Sequence, residues 1–354
     1  SSGLFLNHQD KKFPLLKNND NFSVVPHHHF VKPQVTTSIN SIHQKLLHPN
    51  NEYLKKMIKD QLINTSETAT TDQCTTCLQA KTTSAPARAN SRNIHRVKSP
   101  FHQVHTDILT ITSHNNYKSY VLTFYDDFTK LLKLYHLHSK NQEVIYECFQ
   151  DYITFTTNQF KTNIKMFTSD NGSEYINKSV KSLIKDHGID WMYTSAYSPN
   201  QNGSAERINY SIINKLKSAL IDSPDVRVGT KYIKFCLPYI LKYIEIILNI
   251  SYHSALKTSP YNFITTKLST DQYSAEIGCY KSINFDKIPV IGQTCYITNK
   301  TNTIKTNSRT VSGIFIGLDK NLKIFYVPDE NKIIKTRNFS FKKIPDIHFS
   351  ISSD

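Results

Sequence analysis

Three carboxylates in this chain have the surroundings of a shared cation site. Asp107 ends an alternating strand-like run, and Asp170 follows a short apolar run and precedes an Asn-Gly turn. Glu206 opens a predicted helix, with 35 residues between Asp170 and Glu206. Acids at two strand ends and on one helix can converge without being sequence neighbours. The chain holds 28 Asp and Glu, so any one of them alone is more typical of a solvated charge. The three acids together with their flanking motifs predict a cation site.

Such a site has a definite chemistry. Mg²⁺ takes oxygen ligands at roughly 2.0–2.1 Å and keeps several waters, so a few carboxylates can hold it beside a phosphate. Two such ions about 3.5–4 Å apart activate the attacking oxygen of an in-line displacement and stabilise the leaving one. The three acids therefore predict phosphodiester chemistry with two Mg²⁺ or Mn²⁺ ions. Asp126 and Asp127 lie in the turn-rich stretch DDFTK and are interpreted as turn residues rather than metal ligands.

A second group of residues has the composition of a zinc site. Four residues separate His43 from His48, and after 25 more residues Cys74 and Cys77 follow with two residues between them. Structural Zn²⁺ sites are closed by four nitrogen and sulfur ligands. A Cys-x-x-Cys pair alone is also compatible with a redox motif or with chance. Together with the two histidines it predicts a zinc-stapled module of about 40 residues, a size that rarely folds without a staple.

The charge balance indicates a polyanionic partner. The 354 residues include 43 Lys and Arg against 28 Asp and Glu, a formal net charge of +15, and the sequence pI is about 9.3. Nucleic acid and an anionic membrane both fit this excess. No apolar run approaches the roughly 20 residues of a membrane span, so no membrane association is expected. The six cysteines do not resemble a disulfide framework, and the absence of an initial Met leads us to expect a piece of a longer polyprotein.

The pattern along the chain predicts five segments. Residues 1–38 are polar and are predicted to form an irregular extension, and residues 39–80 have the helical spacing of the zinc module. Residues 81–99 form a basic linker, which suits a phosphate backbone and equally a solvated connector. Strands followed by alternating helices over 100–265 predict an α/β unit, a mixed sheet with flanking helices. Short strands between polar turns predict a small β-barrel over 266–345.

With these modules in this order, the sequence resembles the integrases of copia-type (Pseudoviridae) retrotransposons, fungal members especially, which are parts of Gag-Pol polyproteins. The stretches IHQKLLHPN, CTTCLQAK, HTDI, SDNGSEY and SPNQNGSAERIN carry the resemblance, together with SGIFIGLDKNLKIFYVPDENKIIKTRNFSF after the core. The resemblance covers roughly residues 40–340. It is specific because three independent modules occur in the order of that family.

The resemblance implies an RNase H-like core with a mixed five-stranded sheet, in which Asp107, Asp170 and Glu206 are the metal ligands. It also implies that the HHCC residues bind zinc. The implied activity is 3′-end processing where needed, followed by joining of element DNA ends to target DNA. The implied setting is double-stranded DNA, a homo-oligomer such as a dimer or tetramer, and a host chromatin or transcription-machinery tether. Such a protein reaches the nucleus by way of a cytoplasmic virus-like particle. One departure is that ILTIT follows the first acid where the family usually has Gly-Pro.

Several polar side chains are candidates for DNA contact. Some flank the acids or lie on the predicted acid-bearing helix, and others belong to the basic linker. They are Asn171, Gln201, Asn202, Arg207, Arg88, Arg92 and Arg96.

Two other functions remain open at this stage. A domesticated or decayed integrase would keep the fold as a DNA-binding or scaffold protein without catalysis. A nuclease of the RNase H type would share the core, but the HHCC module and the acid-bearing helix disfavour it.

Overall fold

The protein divides into two compact units, Ser1–Thr36 and Thr37–Asp354, in a computed structural model. In the first unit the description is limited to the backbone of strands. The described residues are 5–8, 11–18, 21–24, 38–60, 62–63, 74–81, 97, 99–112, 118–170, 177–194, 203–222, 230–267, 285–298 and 310–341.

The first unit contains an antiparallel sheet in which each strand pairs with the next. The prediction of an irregular extension over residues 1–38 is therefore wrong for these strands. The missed signal is the Asn-Asn-Asp-Asn stretch at residues 18–21, because these residue types favour a turn between two strands. The strands are β1 (Phe5–His8), β2 (Lys11–Asn18) and β3 (Asn21–Val24).

Short helices carry the predicted zinc ligands. The Ser38 hydroxyl and the Asn50 side-chain oxygen each accept a backbone N–H bond and cap the first two helices. Leu47 and His48 have φ of 55° and 56°, so the chain changes direction between those helices through two left-handed residues. The elements are α1 (Ile39–Lys45), α2 (Asn51–Lys59) and α3 (Thr75–Lys81).

A mixed sheet forms the centre of the second unit and confirms the predicted α/β arrangement. Its described strands lie in the order β6-β5-β4-β7-β8, with β5 antiparallel to both neighbours and β7 parallel to both of its own. The strands are β4 (Gln103–Thr112), β5 (Lys118–Asp126), β6 (Leu132–Leu137), β7 (Met166–Asp170) and β8 (Asp190–Thr194). The accompanying helices are α4 (Gln142–Phe160), α5 (Lys178–Asp186), α6 (Gly203–Ile221), α7 (Thr230–Ile250) and α8 (Pro260–Lys267).

Aromatic rings fill the space between this sheet and α4. Phe124 of β5 stacks on Tyr152 with ring centroids 4.2 Å apart and meets Phe149 edge-on at 4.9 Å. Phe167 of β7 packs edge-on against Phe149 at 5.3 Å, and all four side chains are fully buried. Offset and edge-on aromatic pairs stabilise a core beyond the area they bury, so this cluster fixes α4 against the two strands.

Helix α7 covers the edge strand of the sheet with polar side chains. Glu245 Oε2 accepts from the Leu134 backbone N–H at 2.9 Å, and Asn249 exchanges hydrogen bonds with the backbone N–H and carbonyl of Leu132. Glu245 and Asn249 are buried, so they satisfy edge groups that would otherwise lack a partner. Within the described residues, the helices are too short or too polar to cross a membrane.

The C-terminal strands form an antiparallel sheet that packs on α7. The Tyr243 ring meets Phe315 edge-on at 5.8 Å, and a Cβ on Gly317 would lie 2.8 Å from the Tyr239 carbonyl oxygen. The described strands lie in the order β12-β11-β10-β9-β13, which is an open order, so closure into a barrel stays a prediction. They are β9 (Thr294–Thr298), β10 (Thr310–Asp319), β11 (Leu322–Val327), β12 (Lys332–Thr336) and β13 (Phe339–Ser340).

The two acids at the end of β5 have structural partners. Asp126 is fully buried and accepts from the Phe101 N–H and from both the N–H and the hydroxyl of Thr129, at 2.6–2.9 Å. Burial raises the pKa of Asp126 to about 6, against the opposing effect of these hydrogen bonds. Asp127 pairs with Lys130 at 2.7 Å. Both side chains hold the β5–β6 turn together, in line with their interpretation as turn residues.

Replacing Asp126 with Asn is expected to lower the free energy of unfolding by about 1–3 kcal/mol, because one of the two accepting oxygens becomes an NH2 group. That group faces either the Phe101 N–H or the two Thr129 donors and leaves them buried without an acceptor. Urea denaturation at pH 7 measures the effect. Asp127→Asn, which removes a partly exposed ion pair in the same turn, is the control and should cost less. Equal stability of Asp126→Asn and the unmodified protein would contradict this role.

Candidate functional site

Asp107 and Asp170 lie on the neighbouring parallel strands β4 and β7. In the parallel ladder of β4 and β7, Gln103 pairs with Met166, Val104 with Phe167 and His105 with Thr168, a constant difference of 63 residues. The same difference of 63 separates Asp107 from Asp170. Continuing the register therefore places the two positions opposite each other on neighbouring strands. The Asp170 side chain lies outside the described part of the structure.

The side chain of Asp107 is held by two hydrogen bonds. Its Oδ1 accepts from the Ile108 N–H at 2.7 Å, and its Oδ2 accepts from Asn209 Nδ2 of α6 at 2.6 Å. Asp107 and Asn209 are half-buried. Each carboxylate oxygen therefore has a donor that helps to set its orientation.

Helix α6 positions the third acid through its amphipathic pattern. Its apolar residues Ala205, Ile212 and Leu216 are buried. Glu206 is exposed and precedes Asn209 by three residues, a spacing that puts both on one helical face. Because Asn209 contacts Asp107, the turn that carries Glu206 lies beside the middle of β4. Asp107 is the fifth residue of this ten-residue strand, so the prediction that it ends the strand is wrong.

The predicted DNA contacts are only partly within the described structure. Arg207 is exposed, and its charge acts on the buried ring of His105, whose pKa is lowered mainly by burial. Arg207 therefore lies near the β4–β5 side of α6. The other six candidates lie outside the described residues: Asn171, Gln201, Asn202, Arg88, Arg92 and Arg96.

The two histidines and two cysteines predicted as zinc ligands converge. One donor atom from each of them lies within 4.8 Å of the others. His43 Nε2 is 3.2 Å from Cys77 Sγ, and His48 Nδ1 is 3.4 Å from Cys74 Sγ and 3.6 Å from Cys77 Sγ. With Zn–N near 2.0–2.1 Å and Zn–S near 2.3 Å, the edges of a tetrahedral site are about 3.3–3.8 Å, so these residues fit a zinc ion.

The electrostatics of this cluster favour a cation. Burial and the neighbouring His48 lower the pKa of His43 to about 3. Burial alone would lower the pKa of His48 too, but hydrogen bonds to Asp222 and to the two thiols raise it to about 10. Burial raises the pKa of Cys74, yet the hydrogen bond from His48 is the main opposing effect and brings it down to about 7. Zinc is bound by neutral imidazole and by thiolate. Zinc binding here would therefore remove protons from His48 and from the cysteine thiols.

Two contacts at these sites were missed by sequence reasoning. Asp222, directly after α6, accepts from His48 Nε2 at 2.6 Å and from Thr76 Oγ1 at 2.7 Å. Asn209 of α6 donates to Asp107, and the sequence did not predict this hydrogen bond. Both contacts join α6 to distant segments, and no local pattern indicates the partner of either residue.

Asn209→Ala is expected to reduce any activity that depends on Asp107 by about 10–100-fold, because the Asp107 carboxylate loses the donor that orients it. The measurement is metal-dependent activity at several Mn²⁺ concentrations, since a misplaced ligand also raises the cation concentration required. Ser211→Ala, on the same helix, removes a hydroxyl that donates to the Arg207 carbonyl and serves as the control. Unchanged activity of Asn209→Ala at limiting Mn²⁺ would argue against an orienting contact.

Comparisons with known proteins identify two domains in the chain. Residues 97–199 match the family model described as "Integrase core domain", and residues 16–82 match the model described as "GAG-pre-integrase domain". The first range contains Asp107 and Asp170, and the second contains the four residues of the His/Cys cluster.

Curated relatives are yeast polyproteins. The chain is 25% identical over 310 residues to the Transposon Ty1-DR6 Gag-Pol polyprotein of Saccharomyces cerevisiae, and equally to that of Ty1-DR4. The matches cover 84% of this chain but 16% and 18% of those proteins, so the chain spans less than a fifth of their length.

Solved structures that match are viral. A chain of the simian T-cell lymphotropic virus intasome in complex with PP2A regulatory subunit B56 gamma is 15% identical, with a TM-score of 0.42, covering 74% of this chain and 86% of that one. The HTLV-2 integrase catalytic core domain in complex with magnesium is also 15% identical, with a TM-score of 0.36, covering 46% of this chain and 95% of that one.

Proposed function

Because this chain contains an integrase core domain and is a homologue of the copia-type Ty1 Gag-Pol polyproteins, we propose that it is a retrotransposon integrase. It processes the 3′ ends of element DNA where needed and joins them to target DNA. The observation that supports the proposal is that Asp107 and Asp170 lie on neighbouring parallel strands, with Asn209 of α6 donating to Asp107.

In this proposal Asp107, Asp170 and Glu206 hold two Mg²⁺ or Mn²⁺ ions. When bound, such ions supply an activated attacking oxygen and stabilise the leaving oxygen. The chain contributes the placement of the ligands. The β4–β7 ladder sets the first two acids, and Asn209 orients Asp107 and holds α6 beside it, so that Glu206 completes the set from one turn away. No nucleophilic side chain is required, which fits a reaction whose nucleophile is water or a 3′-hydroxyl.

The second metal in the proposal is a structural Zn²⁺ bound by His43, His48, Cys74 and Cys77. The fit of their separations to a tetrahedral site supports this assignment. The ion would join the segment after α1 to α3, although 25 residues separate His48 from Cys74 in the sequence. A site of this kind stabilises a module too small to have a large core of its own.

The partner in the proposal is double-stranded DNA, both element ends and target. The net charge of +15 supports attraction to a polyanion. Arg207, exposed on α6 beside Glu206, is placed to contact a phosphate near the acids, and Asn171, Gln201 and Asn202 are proposed to flank the same DNA. The remaining proposed contacts are Arg88, Arg92 and Arg96 of the basic linker, and the C-terminal sheet, as a small barrel, adds further basic surface.

The proposal extends to assembly and location. Joining two DNA ends to one target requires more than one active site, which favours a homo-oligomer such as a dimer or tetramer. Action on chromosomal DNA implies entry into the nucleus from a cytoplasmic virus-like particle, with a host chromatin or transcription-machinery tether selecting the target.

Asp107→Asn is expected to abolish strand transfer in a Mn²⁺-dependent assay with short duplex ends and a plasmid target, while DNA binding persists. Loss of one ligand charge removes a cation, whereas DNA is held by the basic surface. Asp186→Asn, an exposed acid on α5 of the same domain, is the control and should leave joining unchanged.

Each other outcome of this assay identifies a different protein. Strand transfer by Asp107→Asn would overturn the ligand assignment. DNA binding with a steep salt dependence but no joining by the unmodified chain would favour a decayed integrase that acts as a scaffold. Cleavage of RNA in a hybrid would favour a nuclease of the RNase H type.

Purified protein is expected to contain about one zinc per chain, and Cys77→Ser is expected to lose it and to unfold at lower temperature, because a tetrahedral site with a missing thiolate binds zinc less tightly. Metal content by mass spectrometry and thermal denaturation measure the two effects. Cys148→Ala removes a buried thiol of α4 outside the cluster and should keep its zinc. Full zinc content in Cys77→Ser would exclude this residue as a ligand.

A further inference from the structure

We propose that Asp222 is a positioning residue for the zinc cluster and that it couples zinc occupancy to helix α6, which carries Glu206. The inference rests on the zinc site of the proposed function. Asp222 belongs to the segment directly after α6, and nothing in the HHCC pattern includes it.

The His48 ring connects the cluster to this carboxylate. Its Nδ1 faces the thiols of Cys74 and Cys77, while its Nε2 donates to Asp222 Oδ2 at 2.6 Å. The His48 side chain is 0% exposed and that of Asp222 is 10% exposed, so water competes little for this bond. A metal-ligating histidine whose other nitrogen donates to a carboxylate has a fixed ring orientation and a more basic ligating nitrogen.

The same carboxylate also binds the cysteine segment. Asp222 Oδ1 accepts from the hydroxyl of Thr76 at 2.7 Å, and Thr76 lies between Cys74 and Cys77 in α3. One side chain therefore holds both halves of the cluster, the histidine segment through Oδ2 and the cysteine segment through Oδ1. An Asn side chain has one accepting oxygen and one NH2 group at this position. Whichever donor the oxygen accepts from, the NH2 group faces the other donor, so Asn cannot reproduce both bonds.

A second side chain of α6 strengthens the connection. Lys215 donates to the Leu46 and Leu47 carbonyls at 3.0 and 3.2 Å, directly before His48. Asp222 itself continues the helical hydrogen bonding, with its N–H donating to the Ser218 carbonyl at 3.0 Å. The C-terminal turns of α6 are thus attached to the histidine segment at two points.

The N-terminal half of the helix is attached to the acidic site. Asn209 donates to Asp107, and Glu206 lies one turn before Asn209. The 16 residues from Glu206 to Asp222 correspond to about 24 Å of helix. One rigid element therefore spans both metal sites, so loss of zinc is expected to free its C-terminal turns and to loosen the placement of Glu206.

The test is the zinc affinity of the full-length protein, measured by competition with a chromophoric chelator. Asp222→Asn is expected to weaken zinc binding by about 10–100-fold. Asp319→Asn is the matched control, because it removes a carboxylate paired with Lys335 in the C-terminal sheet, and its zinc affinity should equal that of the unmodified chain. Equal affinities of Asp222→Asn and the unmodified chain would overturn the proposal.

A second variant and a second measurement cover the case in which Asp222→Asn fails to fold. Thr76→Val keeps the side-chain shape and removes the donor to Oδ1, so it should weaken zinc binding in the same direction but less. Hydrogen exchange of the unmodified chain before and after chelation should show faster exchange in residues 215–221 of α6, with α5 unchanged. Unchanged affinity in Thr76→Val, or chelation that accelerates exchange only in residues 43–81, would contradict the coupling.

These experiments separate this inference from the proposed zinc site. An unmodified chain that binds neither Zn²⁺ nor Co²⁺ would remove the zinc site, and the inference with it. An unmodified chain that binds zinc tightly, together with an Asp222→Asn variant of the same affinity, would leave the zinc site intact and overturn only the role of Asp222.

Discussion

Helix α6 makes hydrogen bonds to both candidate sites of this protein, and the geometry of each site depends on the position of the helix. Near its start, Asn209 donates to the Asp107 carboxylate of the central strand. At its end, Asp222 accepts from His48 of the His/Cys cluster. The apolar stripe between these points, which includes the fully buried Ile212, packs into the core. Because a packed helix moves as a unit, the acidic site and the cluster cannot shift independently.

Helix α6 lies outside both regions of the chain that match family models. The integrase core match ends at residue 199 and the GAG-pre-integrase match covers residues 16–82, whereas α6 begins at Gly203. The helix therefore follows both matched regions in the chain, yet its side chains contact residues in each. Glu206 lies near the start of the helix and Asp222 directly after its end, whereas Asp107 and the His/Cys cluster lie in the matched regions.

Helix α7 packs against α6 and covers the edge strand β6 of the sheet. Glu245 and Asn249 satisfy the edge of β6, so this edge is unavailable for pairing with another chain. On the same helix, Tyr243 packs against Phe315 and donates to the Lys45 carbonyl at 2.8 Å. Helix α7 thus contacts the edge of the central sheet, the C-terminal sheet and the end of α1.

Local patterns in the sequence determined most elements of the second unit and the members of both candidate sites, because strand alternation, helical spacing and the Cys-x-x-Cys pair are set by neighbouring residues. The same reasoning missed the sheet of residues 5–24, where turn-forming residues, rather than an apolar pattern, separate the strands. Only the tertiary structure decided that Asp222 binds His48 across 174 residues and that Asn209 binds Asp107 across 102. Such partners follow from how α6 docks, and docking depends on packing across the whole core rather than on any local spacing.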